Sequence, residues 1–395
     1  MFHRKISLIV SLLLLAAIFI TPLSPHAEAK STSLQEAVVR TMIKHKQAVA
    51  TQAIEVEKRA QVNVKRTHQN GSWSFGTAVI TAPRVEGSYP EGWLFIARKT
   101  DAGWQVGLEG TERFKQLAQA APSDIMKSHE KKAFAASNEV EALAEQRTGL
   151  QLPFAQGAAW YMTGGPHGWA GSDRPYSSMD LSGGDQKVVA ARSGNVYTMC
   201  SNNLGWIRVV HDNGYSTDYY HLWDNIKPAD GTRVNTGEFL GYTGTDVSCG
   251  GSANGRHVHF AVLYNGSYVS LHEKEIGAWL FYEGSAYGGY ARHASTVVYP
   301  GGAIMNYGIL GSNQGVVDAN GGGTVNLRSG PSTQYGIVGS VADGNIVTIS
   351  CTATGTTHTG RYGSTNLWNK LTGGQWISDA FVWTGTSNPV APSCQ

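Results

Sequence analysis

The sequence predicts a mainly β chain: an antiparallel sheet with long loops in its middle, an α+β region before it and a small β-barrel after it. Three observations lead there. Glycine is abundant, 48 of 395 residues, about 12% against a usual ~7%. It follows no Gly-X-Y period and marks tight turns between short strands. Composition switches near Leu152, from Ala, Glu, Lys and Gln to short β-type runs. A third block near Val317 repeats short strands with Pro/Gly turns over roughly 70 residues, the size of a small barrel.

The first element is an export signal, expected at residues 1–29. Arg4-Lys5 precede an apolar run from Ile6 to Ile20, and Ala27-Glu28-Ala29 has the small-x-small form of a cleavage site. The run is short for a membrane anchor, which needs ~20 residues. No second stretch could span a membrane, so a secreted, extracellular protein is expected.

Residues 30–150 hold no cysteine and form their own block. Ser33 and Glu36 have capping-box spacing, which starts a helix. Strand-like pieces carrying Trp73, Phe75, Trp93, Phe95 and Trp104 follow, then helix over Glu112–Ala120 that resumes beyond Pro122-Ser123-Asp124 toward Arg147. This is a folded region with an aromatic core.

In the middle block, 151–285, strands are expected at Val188–Ala190, Asn195–Met199, Trp206–His211, Ser216–His221 and His257–Leu263. Asp212-Asn213-Gly214-Tyr215 reads as a hairpin turn. The glycine-bearing stretches Gly164–Gly184 and Gly241–Gly255 read as long loops, where a rigid sheet places its chemistry. Residues 286–318 read as a linker and 319–395 as the barrel.

Charge excludes one class of partner. Net charge is +2. Residues 30–150 carry 17 Lys/Arg and 13 Asp/Glu, whereas 151–395 carry 12 and 15. A mildly acidic working part does not suit nucleic acid, which wants a basic surface. Cys200, Cys249, Cys351 and Cys394 meet an oxidising environment after export, and three pairings are possible. Sequential pairing keeps each bridge within one block and is favoured.

Five polar residues carry the chemistry. His257-Val258-His259 puts two imidazoles on one strand face, because side chains repeat every two residues. The neighbours Phe260, Ala261 and Val262 make that strand largely buried, and burying two histidines without a partner is costly. His221 stands at a strand end, with a core histidine as its plain alternative. His167 in Gly164-Gly165-Pro166-His167 and Asp180, 13 residues on, are loop residues that say little alone.

Together these motifs resemble the lysostaphin-type zinc metallopeptidases, in their β-lytic and staphylolytic branch, over roughly residues 155–285. That branch has a long insertion between its first two ligands, like the separation here, and an Asp-x-Ser-Gly-Gly run matched by Asp180-Leu181-Ser182-Gly183-Gly184. Cys200 and Cys249 fall where the branch has a disulfide. The resemblance implies one Zn2+ on His167, Asp180 and His259, with His221 and His257 as catalytic non-ligands.

Two imidazoles and a carboxylate leave the zinc positive, able to acidify a water at an open position and polarise a carbonyl. No His-Glu-x-x-His is present, so a histidine must act as base; the sequence does not say whether His221 or His257 does so. The resemblance implies a metalloendopeptidase acting on bacterial peptidoglycan peptides, next to glycine. The alternatives are a wall-binding or structural protein on a peptidase-like fold, and a zinc amidase.

Val325-Asn326-Leu327-Arg328-Ser329-Gly330-Pro331-Ser332 and Trp376-Ile377 resemble bacterial SH3-like domains, which bind wall peptides. Thr352–Thr365 is expected to lengthen a loop there. Residues 30–150 are then expected to be a propeptide, an intramolecular inhibitor of a monomeric enzyme.

Overall fold

The structure is a computed structural model that describes residues 33–135 and 146–395. The expected export signal lies outside the described residues. Among the described residues no helix is long and apolar enough to cross a membrane. The architecture is mainly β with antiparallel sheets, as expected.

Helix α1 (Leu34–His45) starts at the expected capping box: Ser33 and Glu36 exchange two 3.2 Å bonds. Helix α2 (Ala50–Arg59) leads into a four-stranded antiparallel sheet, β1 (Ala60–Thr67), β2 (Trp73–Ile80), β3 (Glu91–Thr100) and β4 (Gly103–Leu108). Helices α3 (Glu112–Ala120) and α4 (Ser128–Ala135) follow. Both faces of this sheet are buried. Ala78, Ile80, Phe95 and Ala97 pack on Val38, Met42 and Val56. Phe75, Val79, Leu94 and Ile96, one residue out of phase, share a core with Phe114 and Leu117 and with Tyr197, Trp206 and Tyr220 of the middle block.

That middle block begins with β5 (Arg147–Leu150), which pairs in parallel with Glu275–Ile276. Its main sheet has nine strands. Eight run in the order β11, β8, β9, β10, β12, β7, β6, β13: Thr232–Val234, Gly194–Thr198, Gly205–His211, Tyr215–Leu222, Val258–Tyr264, Ser178–Ser182, Ala159–His167 and Ala303–Met305. Ser267–Tyr268 pairs with Leu263–Tyr264 at the end of β12. The β9–β10 hairpin turns at Asp212–Gly214, with Gly214 at φ 81° as such a turn requires.

Two expectations are corrected. Gly164–Gly184 is not one long loop, because β6 runs through Gly164-Gly165-Pro166 to His167 and β7 holds Asp180. Residues 286–318 are not a free linker. Tyr290–His293 and Thr296–Val298 extend the five-stranded sheet that contains β5, Ala303–Met305 is the edge strand β13, and Gln314–Val317 enters the last sheet. Ile304 is fully buried in the core of the middle block.

The C-terminal block is a seven-stranded sheet around Val317, Val325, Ile349, Leu371 and Ile377. Thr352–Thr365 does not form an extended loop: it lies within a long hairpin, Ile346–Gly360 against Gly363–Leu371. Both disulfides follow the favoured sequential pairing, Cys200–Cys249 and Cys351–Cys394.

Candidate metal centre

Four neighbouring strands bring the five residues together. In the order β10, β12, β7, β6, the end of β10 supplies His221, the start of β12 His259 with His257 just before it, β7 Asp180 and the end of β6 His167. Register fixes the match: His259 lies opposite Tyr220 on one side and opposite Asp180 on the other. Two register shifts in the β6–β7 pair turn His167 inward. Gly165 makes that bend possible, since a Cβ there would lie 2.0 Å from the Gly288 carbonyl oxygen.

His167, Asp180 and His259 form a tight trio. His259 Nδ1 is 3.0 Å from Asp180 Oδ1, His167 Nε2 is 3.2 Å from His259 Nδ1, and His167 Nε2 is 3.5 Å from Asp180 Oδ1. Both imidazoles are buried and the carboxylate is slightly exposed. Burial would raise the Asp180 carboxyl, but the surrounding histidines, His167 foremost, hold it well below the usual carboxylate range. Burial lowers the His259 imidazole, with Asp180 opposing. The trio thus sets a carboxylate against two imidazole rings, a donor set of the kind that binds a cation.

His257 and His221 stand beside the trio, with ring centroids 4.9 Å apart. His257 Nε2 is 3.7 Å from Asp180 Oδ1. His221 Nδ1 donates to the Asp246 carbonyl and His257 Nδ1 to the Gly255 carbonyl, each at 2.9 Å. A carbonyl can only accept, so both rings carry a proton on Nδ1, and Nε2 is the nitrogen that these backbone bonds leave free. His221 has φ 68°, a left-handed conformation that costs a non-glycine residue on the order of 1–3 kcal/mol and clusters at functional sites. Burial, with His257 and His259 adding to it, pushes its imidazole down to about 3.

Three aromatic residues that sequence reasoning missed complete the site. The Tyr287 ring stacks on His167 at 3.9 Å, Trp169 lies 5.0 Å from His259, and Tyr89 of the N-terminal region lies 5.7 Å from His259. Tyr287 falls in Gly284-Ser285-Ala286-Tyr287-Gly288-Gly289, where no local signal sets it apart.

A β-sheet that gathers a His/Asp/His trio and two further histidines at one end has the make-up of a metal-dependent hydrolase. Residues 174–271 match the family described as Peptidase family M23. The chain is 35% identical over 133 residues to a beta-lytic metalloendopeptidase of Lysobacter enzymogenes, covering 31% of this chain and 72% of that one. It is 37% identical over 149 residues to protease LasA of Pseudomonas aeruginosa, covering 35% of this chain and 34% of LasA, so it spans about a third of that relative. Among solved structures it is similar to pseudoalterin, an M23 metalloprotease from the deep sea, at 31% identity and TM-score 0.36, over 40% of this chain and 97% of that one. The chain belongs to peptidase family M23.

Proposed function

We propose that the chain is a secreted zinc metalloendopeptidase that hydrolyses peptide bonds next to glycine in bacterial cell-wall peptidoglycan. The observation that carries this reading is the trio of candidate ligand atoms 3.0–3.5 Å apart, with two histidines beside it that are held by backbone bonds at Nδ1. Tetrahedral zinc with bonds of about 2.0–2.1 Å spaces its ligand atoms about 3.3 Å apart, so the donor set fits one Zn2+ with a position left open. His167, Asp180 and His259 would hold it. Zn2+ there supplies Lewis acidity toward a peptide carbonyl and toward water.

The remaining work falls to the protein's own groups. The His221 and His257 rings lie 4.9 Å apart, each with its Nε2 free of a backbone bond. One takes a proton from the attacking water and one returns a proton to the leaving amine, a division typically worth 10²–10⁴ in rate. The backbone bonds at Nδ1 hold both rings in the tautomer this needs. Gly250 and Gly251 on the rim are compatible with a narrow groove that admits glycine.

Two further roles complete the proposal. The C-terminal block is a wall-binding module of SH3-like type. A cavity lined by Asn326, Arg328, His358, Trp368 and Phe381 supports this, having the mix of donors and aromatic surface that suits a peptide. Holding substrate there would raise its concentration at the metal site. The N-terminal region is a propeptide that keeps the enzyme inactive. In this reading the strand β5 (Arg147–Leu150), which pairs with Glu275–Ile276, stays with the middle block.

The test is clearing of heat-killed bacterial cells by the processed protein, with and without a chelator, followed by product analysis. Chelator-sensitive clearing with new amino-terminal glycine supports the proposal. Release of intact stem peptides from the glycan would make the protein an amidase instead. Zinc-loaded protein that clears no wall type would reject the wall as its target.

A further inference from the structure

The connection between β2 and β3, residues 81–90, crosses the His/Asp trio and is pinned to both rims of the cleft. On one rim Ala82 N–H donates to the Cys249 carbonyl at 3.0 Å, and Gly251 N–H donates to the Pro83 carbonyl at 3.1 Å. The backbones approach so closely that a Cβ on Gly250 would lie 1.9 Å from the Ala82 carbonyl oxygen. On the opposite rim Trp169 Nε1–H donates to the Pro90 carbonyl at 2.6 Å, and the Tyr89 and Tyr287 hydroxyls share a 2.9 Å bond. Between the rims the Tyr89 ring lies over His259, tilted by 33°.

These contacts are not needed to hold the N-terminal region in place. Its attachment is made elsewhere, by the shared core around Phe75 and Trp206 and by buried polar bonds. Glu109 accepts from Arg208, Lys65 pairs with Asp230, and Glu130 accepts from Tyr197. Residues 83–87 are exposed, and Val85 keeps 55% of its surface. What the connection does is fill the cleft. Main-chain bonds to a rim, with a side chain placed over the reacting groups, are how an extended peptide is recognised.

We propose that Ala82–Pro90 is the inhibitory segment of the N-terminal region, lying where substrate backbone binds, with Tyr89 as the residue that covers the metal ligands. The proposal rests on the propeptide reading and adds its mechanism. Cys249–Gly251 is then the rim that pairs with substrate main chain, and the glycines at 250 and 251 are what let a peptide backbone come that close.

The test uses the full secreted chain, loaded with zinc and shown uncleaved by gel. Tyr89→Ala is compared with wild type, and so is a second variant in which Val85–Tyr89 is replaced by a Gly/Ser stretch, in case the first fails to fold. Two readouts are followed: zinc transfer to pyridylazoresorcinol, and hydrolysis of a quenched-fluorescent pentaglycine peptide. Wild type processed to remove the N-terminal region is run alongside. Uncovering the ligands should speed zinc transfer by about tenfold or more, since access scales with the open fraction, and should release hydrolysis in the uncleaved chain. Variants as slow and silent as wild type, beside an active processed enzyme, overturn the segment but leave the propeptide reading standing. Equal activity of cleaved and uncleaved wild type overturns both. If nothing cuts, the glycine preference fails, and the zinc-transfer rates still decide whether the segment covers the ligands.

Discussion

The guanidinium of Arg208, buried in the middle sheet, reaches across to the Glu109 carboxylate of the N-terminal region at 2.6 Å. It also grips Asp218 of its own sheet through two 2.7 Å bonds. Asp218 and Glu109 together hold Arg208 charged against the pull of burial. Removing Arg208 strands two buried carboxylates. Arg208→Ala should therefore destabilise the chain by about 3–5 kcal/mol, and Glu109→Ala, which leaves the Asp218 pair, by about 1–3 kcal/mol. Urea denaturation of the full chain checks both values.

The ligand and non-ligand histidines should separate cleanly. Asp180→Ala and His259→Ala should abolish zinc binding. His221→Ala should retain one zinc per chain by elemental analysis while losing about 10²–10⁴ in kcat. Full turnover in that variant would contradict the role given to His221.

Gly165 is a sensitive point outside the ligand set. Its carbonyl accepts from His167 Nδ1 at 2.7 Å, and a Cβ would strike the Gly288 carbonyl. Gly165→Ala should push His167 out of line and lower zinc affinity by about 10–100-fold, the usual effect of losing support behind a ligand. Competitive zinc titration gives the number.

Glu275 should make stability depend on pH. Burial pushes its carboxyl up to about 7 from an ordinary 4.5, against a bond from Ala278 N–H and the charge of Arg147. The folded chain holds this proton more tightly than the unfolded one. The stabilisation is thus complete below pH 4.5 and is lost as pH rises through 7. By proton linkage this is worth roughly 3 kcal/mol. Glu275→Gln keeps the acceptor for Ala278 and should flatten this part of the denaturation profile between about pH 5 and pH 8.

Local patterns were legible in the sequence; long-range ones were not. His257 and His259 announce themselves because a strand repeats every two residues, and Ser33 with Glu36 because a capping box spans one turn. His167 and Asp180 could be placed as ligands only by family resemblance. The strands that carry them were hidden, because Gly164-Gly165-Pro166 reads as a breaker, whereas the glycine is there for a close backbone approach. The strands in 286–318 are short and pair with partners far away in sequence, so no periodicity could build up. Tyr89 and Tyr287 meet across 198 residues, a contact no local pattern encodes.

Trp169 links several of these features. Its indole is buried, stacked on Tyr268 at 5.3 Å, close to His259, and bonded through Nε1 to Pro90. On the proposed removal of residues 82–90, that N–H would lose its acceptor and turn toward water, and the emission of the indole should move to longer wavelength. A Trp169→Phe control would subtract the signal of the other ten tryptophans. The indole would thus serve as an optical gauge of the proposed maturation, readable in real time and without any substrate.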